Sequence, residues 1–340
     1  MTNPFTPNTP PETALAWHRA GRGVALVTVI ETWGSAPCPV GSQLVVSQDG
    51  AFEGSVSGGC VEGAVVLEAQ EALADALPRL LTYGVSNGDA FAAGLACGGT
   101  IRLMVEPISD DLGQGLPVAL LAELVAHRAS RTPAVYQVNL ATWAREVIDA
   151  PSQPAPVLAA KTGVVGELFS AVHLPPLRLF LVGAVHIAQI LAPMAAAVGI
   201  TPTVIDPRGQ FLTAERFPGV AIVNEDPEDI LPNLGLDAHS AVVTLAHDTK
   251  IDDPALVQAI AGGPFYIGCL GSRRTHAARL ARLRDMGVTD DQLARLHGPV
   301  GLDIGAMGPA EIAVSILAEL IATHRGKRLQ GPAGPASLRA

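Results

Sequence analysis

A cysteine stands in one of the most permissive stretches of this chain. In GSVSGGCVEG, residues 54–63, Cys60 lies between the pair Gly58-Gly59 and Glu62. A thiol at a helix start sits in a positive field that favours the thiolate, and neighbouring glycines let a ligand approach the backbone. The same residues also read as a small core cysteine in a tight turn. Cys97, followed by Gly98 and Gly99, mirrors the motif as CGG against GGC. Cys60 and Cys97 are 37 positions apart and converge only if the chain between them folds back, which the break at Pro78 and the turn at 84–88 permit. Read locally, Cys97 fills a turn before a strand.

A second set of polar residues falls at predicted strand ends: Gly183 and His186, Asp206 and Arg208, His247 and Asp248, then Gly271-Ser272-Arg273-Arg274-Thr275-His276. In an open parallel sheet the ligand sits beyond the carboxyl ends of the strands. GSRRTH also opens a helix, so free N–H groups, a hydroxyl and two guanidinium groups offer an anion receptor. Helix capping by Ser272 with solvated arginines explains the residues equally well. His186, His247 and His276 have no tight metal-ligand spacing. Around Gly183 the chain resembles a dinucleotide-binding turn, but Val185 stands where the second glycine admits the pyrophosphate, and Asp206 stands about where the ribose-binding acid belongs. GLDIGA (301–306), ahead of Pro309 and Glu311, reads as exposed N–H groups or as simple helix initiation.

The elements that must position these groups differ between the two halves. In the first half, strands are predicted at 24–32, 43–46 and 100–106, with some pairing around 163–169. Helices are predicted at 61–77 and 116–128. The second half alternates strands at 179–182, 203–205, 220–223, 241–245 and 265–267 with helices at 185–198, 254–261, 273–286 and 309–324. That alternation implies a parallel sheet covered on both faces. A proline-rich stretch from Ala150 to Pro176 places a domain boundary near Pro176. The expected fold class is α/β: a mixed α+β domain over 1–175, a Rossmann-like parallel-sheet domain over 176–330, and a flexible tail over 331–340.

Composition narrows the function. At 49% hydrophobic and 16% charged residues, the 340-residue chain has material for two proper cores. A net charge of −10 argues against nucleic acid or an anionic membrane as partner. Cys38, Cys60, Cys97 and Cys269 are too scattered for a disulfide scaffold. The apolar stretch 178–200 is long enough to span a membrane. It is interrupted by His186, Gln189 and Pro193, and reads better as a buried strand followed by a helix. No signal peptide is recognisable, so a cytoplasmic location is expected.

The motifs together resemble a family, the xanthine dehydrogenase accessory or XdhC/CoxI-type proteins. The resemblance rests on GSAPCPVGSQLVV (34–46), GSVSGGCVEG (54–63) and LACGGTIRLMVEP (95–107) in the first half. In the second half it rests on LVGAVHIAQ (181–189), VIDPR (204–208), TLAHD (244–248), YIGCLGSRRTH (266–276) and GLDIGA (301–306). It implies a chaperone, more a cofactor carrier than an enzyme, that binds molybdenum cofactor (molybdopterin), protects it during sulfuration and inserts it into an apo molybdenum hydroxylase. A cysteine desulfurase sulfur donor and a homodimeric state are implied too. On this reading Cys60 and Cys97 meet the molybdenum or its sulfur, with Gly58, Gly59, Glu62, Gly98 and Gly99 around them. Arg273 and Arg274 hold a phosphate or nucleotide, and the second domain closes over the first. Two departures stand out: Cys269 where a small apolar residue is expected, and Met307-Gly308 where a Lys-Thr pair is expected. Two other readings stay open: an NAD(P)-dependent oxidoreductase, and a recruiting protein that holds no cofactor.

Overall fold

A computed structural model describes residues 9–36, 38–84, 99–110, 113–149 and 162–326. Two compact units divide the chain, Asn8–Pro175 and Pro176–Ala340.

The N-terminal unit is built on β1 (Val24–Trp33), flanked by β2 (Gln43–Ser47), β3 (Phe52–Gly54), β4 (Arg79–Gly84), β5 (Thr100–Ser109) and the short β6 (Leu116–Pro117). Their order is β3-β2-β1-β5-β4, with β6 beside β5. Every pairing in this sheet is antiparallel except β5 with β6. The run VALVTVI is apolar without alternation because β1 is buried on both faces. Ala25, Val27 and Val29 pack with Val65, Ala69 and Ala72 of α2 (Glu62–Asp75). Leu26 and Ile30 face a second core with Tyr136, Val138, Phe169 and Ala171. These last residues belong to a four-stranded antiparallel sheet of β7 (Ala134–Asn139), β8 (Arg145–Asp149), β9 (Gly163–Val165) and β10 (Leu168–His173), ordered β8-β7-β10-β9. Two helices complete that core, α1 (Pro10–Arg19) and α3 (Val118–Ala129). Sequence patterning places no helix at 10–19. The segment begins with two prolines, yet prolines suit the first helical turn, and Ala14 and Leu15 are fully enclosed.

The C-terminal unit is doubly wound. Its strands β11 (Arg178–Val182), β12 (Thr201–Ile205), β13 (Ala221–Val223), β14 (Ser240–Thr244), β15 (Tyr266–Cys269) and β16 (Leu296–His297) are parallel, in the order β13-β12-β11-β14-β15-β16. One face packs on α4 (His186–Ala197) and, much later in the chain, α9 (Pro309–His324). The other carries α5 (Pro227–Ile230), α6 (Thr249–Gly262), α7 (Arg273–Asp285) and α8 (Asp290–Leu293). The apolar stretch 178–200 thus divides into β11 and α4, both enclosed in this core. No helix among the described residues is long and apolar enough to cross a membrane. The strand order reverses between β11 and β14, the place where folds of this kind bind ligands.

Candidate functional site

In the N-terminal unit one end of the larger sheet gathers three motifs. Thr100 opens β5 opposite both Trp33, the last residue of β1, and Gly84, the last of β4. Gln43 opens β2 at that same end, and β3 finishes there at Gly54. The loops 34–42 and 55–61 therefore leave the sheet side by side. Gly99 seats the start of β5 against the first loop, since a Cβ at position 99 would lie 2.3 Å from the Ser35 carbonyl oxygen. Cys38 Sγ lies 3.7 Å from Ser55 Oγ, which ties the two loops together. Cys97 and Gly98 lie outside the described residues.

Cys60 is exposed on the second loop, one residue ahead of Val61, which caps α2. The loop is held by Glu62. One carboxylate oxygen accepts from Ser55 Oγ (2.7 Å), Val56 N (3.2 Å) and Ser57 N (2.9 Å). The other accepts from Ser57 Oγ and from Gly59 N (2.9 Å). Burial opposes the charge, but the Ser57 and Ser55 hydroxyls and the Ser57 N–H outweigh it and hold the carboxyl at about 2. Gly58 and Gly59 take φ of 70° and 106°, which a side chain would strain. Glu62 thus shapes the loop from within, and the thiol is what the loop presents. Cys269, by contrast, is fully enclosed at the end of β15, and burial pushes its thiol up to about 12. Alkylation of the folded protein, followed by mass spectrometry, is expected to label Cys60 first, Cys38 more slowly and Cys269 last. Labelling of Cys269 at the rate of Cys60 would contradict this geometry.

In the C-terminal unit the polar strand ends predicted from sequence line one edge, and several turn out to serve the backbone. Gly183 lets the end of β11 lie against the next strand, because a Cβ there would sit 2.6 Å from Ala246 N. Asp206 is fully buried and accepts from Ala184 N (2.7 Å) and from the guanidinium of Arg208 (2.9 and 2.8 Å). Burial raises its carboxyl, and the Arg208 and backbone donors more than reverse this. An acid already bidentate to its own arginine is poorly placed to receive a ribose, which weighs against a nicotinamide dinucleotide. Asp248 caps α6 by accepting from Lys250 N (2.9 Å), so the helix starts at Thr249 rather than 254. His186 and His247 are exposed, whereas the His276 ring packs against Gly298. Among the described residues no group of histidines, cysteines or carboxylates could hold a metal ion.

The GSRRTH turn is different. Ser272 caps α7, accepting from Thr275 N at 3.1 Å. Gly271 and Arg273 line a crevice of about 500 Å³ with Gly301, Asp303, Ile304 and Ile312. The opposite wall is the GLDIGA loop. It is tied down by Glu319, which accepts from Gly301 N (2.7 Å) and Tyr266 OH (2.5 Å), and by Ser315, whose hydroxyl donates to the Leu302 carbonyl (2.6 Å). Met307, in place of the expected lysine, is 93% exposed.

Comparison with known proteins agrees with this two-part organisation. The model of the XdhC and CoxI family matches residues 17–84, and that of the XdhC Rossmann domain matches 179–320. The chain is 32% identical over 301 residues to the molybdenum cofactor insertion chaperone PaoD of Escherichia coli, covering 88% of this chain and 83% of that protein. It is 29% identical to a Bacillus subtilis protein described as a probable subunit of xanthine dehydrogenase, covering 88% and 93%. A crystal structure described as a xanthine dehydrogenase from Bacillus halodurans superposes with a TM-score of 0.75 at 26% identity, covering 95% of this chain and 98% of that one.

Proposed function

Since the chain belongs to the XdhC and CoxI family, we propose that it is a chaperone of molybdenum cofactor. It holds the cofactor, shelters it while a cysteine desulfurase supplies sulfur, and delivers it to an apo molybdenum hydroxylase of the xanthine dehydrogenase type. A maturation role is the part the relatives support most directly, through the insertion chaperone at 32% identity. The observation that carries the finer reading is the Cys60 loop: an exposed thiol on a glycine turn, braced from behind by the buried Glu62. The cofactor is the cargo. It brings a dithiolene-bound metal with open positions, which a soft thiolate can meet. Cys60, and with it Cys97, is assigned to that contact. The Gly271–Arg274 turn, in a unit of its own, is assigned to a phosphate, where a helix N-terminus and two guanidinium groups suit an anion.

The test is cofactor transfer. Wild type, Cys60→Ala and Cys97→Ala are each loaded with molybdenum cofactor and mixed with apo-hydroxylase, and hydroxylase activity and bound pterin are measured. Each variant is expected to retain less cofactor and deliver less of it. Wild-type binding and delivery by both variants would make the thiols structural and this reading wrong.

A further inference from the structure

Beneath the GSRRTH turn lies a charge that sequence reading did not single out. Arg279, two turns into α7, reaches back to the carboxyl end of β15, where Nη2 donates to the Leu270 carbonyl oxygen at 2.9 Å. Its side chain is only 3% exposed. Nε and Nη1 have no hydrogen-bond acceptor among the described residues. The nearest carboxylates stand off, Asp252 at 3.8 Å from Nη2 and Asp253 at 4.0 Å from Nε, and Asp253 is engaged by Arg282. A Cβ at Gly271 would stand 3.9 Å from Nη1, with the Thr275 side chain nearer at 3.2 Å. A buried guanidinium that leaves donors unmet is costly, so packing alone does not explain it. Above it, on the solvent side of the same turn, are the first N–H groups of α7 and the exposed Arg273 and Arg274.

We propose that Arg279 is the innermost cation of a receptor for the phosphate of an organic phosphate, acting from beneath the Gly271 turn while the α7 N-terminus, Arg273 and Arg274 contact the anion from above. Arg279 is a positioning residue: it fixes the Leu270–Gly271 turn and supplies, behind that turn, a buried positive charge that Asp252 and Asp253 only partly offset. Low dielectric makes its potential stronger than that of the same charge in solvent. Asp252 sets its strength, because this carboxylate lies closest to the guanidinium and partly offsets it. The crevice beside the turn, with Ile304 and Ile312 on its walls and Asp303 within it, suits an organic portion that is partly apolar and carries hydroxyl or amino donors. A nucleotide and a pterin phosphate share that chemistry. The inference rests on the phosphate reading of the GSRRTH turn.

Calorimetric titration of the full chain with inorganic pyrophosphate, AMP and a pterin monophosphate tests both. Arg279→Gln is expected to weaken pyrophosphate binding by about tenfold or more. Asp252→Asn keeps the oxygen that accepts from Ala246 N and removes a negative charge, so it is expected to tighten binding, which a purely structural role would not do. If Arg273→Ala/Arg274→Ala loses binding while Arg279→Gln and Asp252→Asn bind as wild type, the role of Arg279 is refuted and the turn stands as a phosphate site. If wild type binds none of the three probes, or the Arg273→Ala/Arg274→Ala variant binds as wild type, the phosphate reading itself fails. Tighter binding of AMP or of the pterin phosphate identifies the organic portion.

Discussion

Glu62→Ala is expected to destabilise the N-terminal unit by on the order of 3 kcal/mol and to unseat Cys60. The carboxylate is buried and accepts from three backbone N–H groups and two hydroxyls of residues 55–59. Alanine leaves those donors facing a void, and unmet buried donors cost more than an average hydrogen bond contributes. Glu62→Gln retains one oxygen but sets an amide N–H against donors, so its loss should be smaller. Charge provides an independent check. The folded-state value, about 2, is below the ordinary 4.5. The stabilisation is therefore complete above pH 4.5 and is lost as pH falls from 4.5 towards 2. Denaturant unfolding should show wild type and Glu62→Gln separated at pH 7 and converging near pH 2. Equal stability at pH 7 would mean that the loop does not depend on the carboxylate.

Arg145→Met is expected to cost about 3–5 kcal/mol, the range for leaving one member of a buried ion pair alone. Glu106 is wholly enclosed between the two sheets, and the Arg145 side chain is 4% exposed. One Glu106 oxygen accepts from Arg145 Nε (2.6 Å) and Tyr136 OH (2.9 Å). Burial pushes the Glu106 carboxyl above its usual range, and Arg145 only partly counters this. Removing the guanidinium raises it further. The variant then holds a proton more tightly when folded than when unfolded, so its deficit should be smaller at pH 4 than at pH 8. A double variant, Glu106→Gln with Arg145→Met, should recover much of the loss, because the uncompensated charge is gone. A single variant as stable as wild type, in denaturant melts at pH 8, would show that the pair does not hold the sheets together.

Patterning in the chain was sufficient for much of this architecture. The unbroken apolar run at 24–30 predicts a strand buried on both faces, as β1 is. The alternation from 179 onwards predicts a parallel sheet, and its turn residues fall at the carboxyl ends of strands. Such signals are local: hydrophobic period, glycine and proline placement, and capping residues act within a few positions. The elements that went unread are those whose stability comes from distant partners. The α1 helix is amphipathic only against α3 and the first sheet, and β4, β7 and β8 have mixed patterns resolved by their neighbours.

The site divides along the same line. Residue types alone singled out Cys60, its glycines, Glu62 and the GSRRTH turn, because glycine beside a thiol and arginine beside a helix start are compositional signals. How several of these side chains are held depends on contacts between residues far apart or facing inward. Glu62 turns its carboxylate back into its own loop, Asp206 closes on Arg208, and Cys38 meets Ser55 across 17 positions. Arg279 carried no sequence signal, since one arginine on an arginine-rich helix looks like a solvated side chain. Only the packing of α7 against α6 and the end of β15 buries it with donors unmet. Burial is a property of the whole chain's arrangement, and burial is what turns an ordinary charge into a strong one.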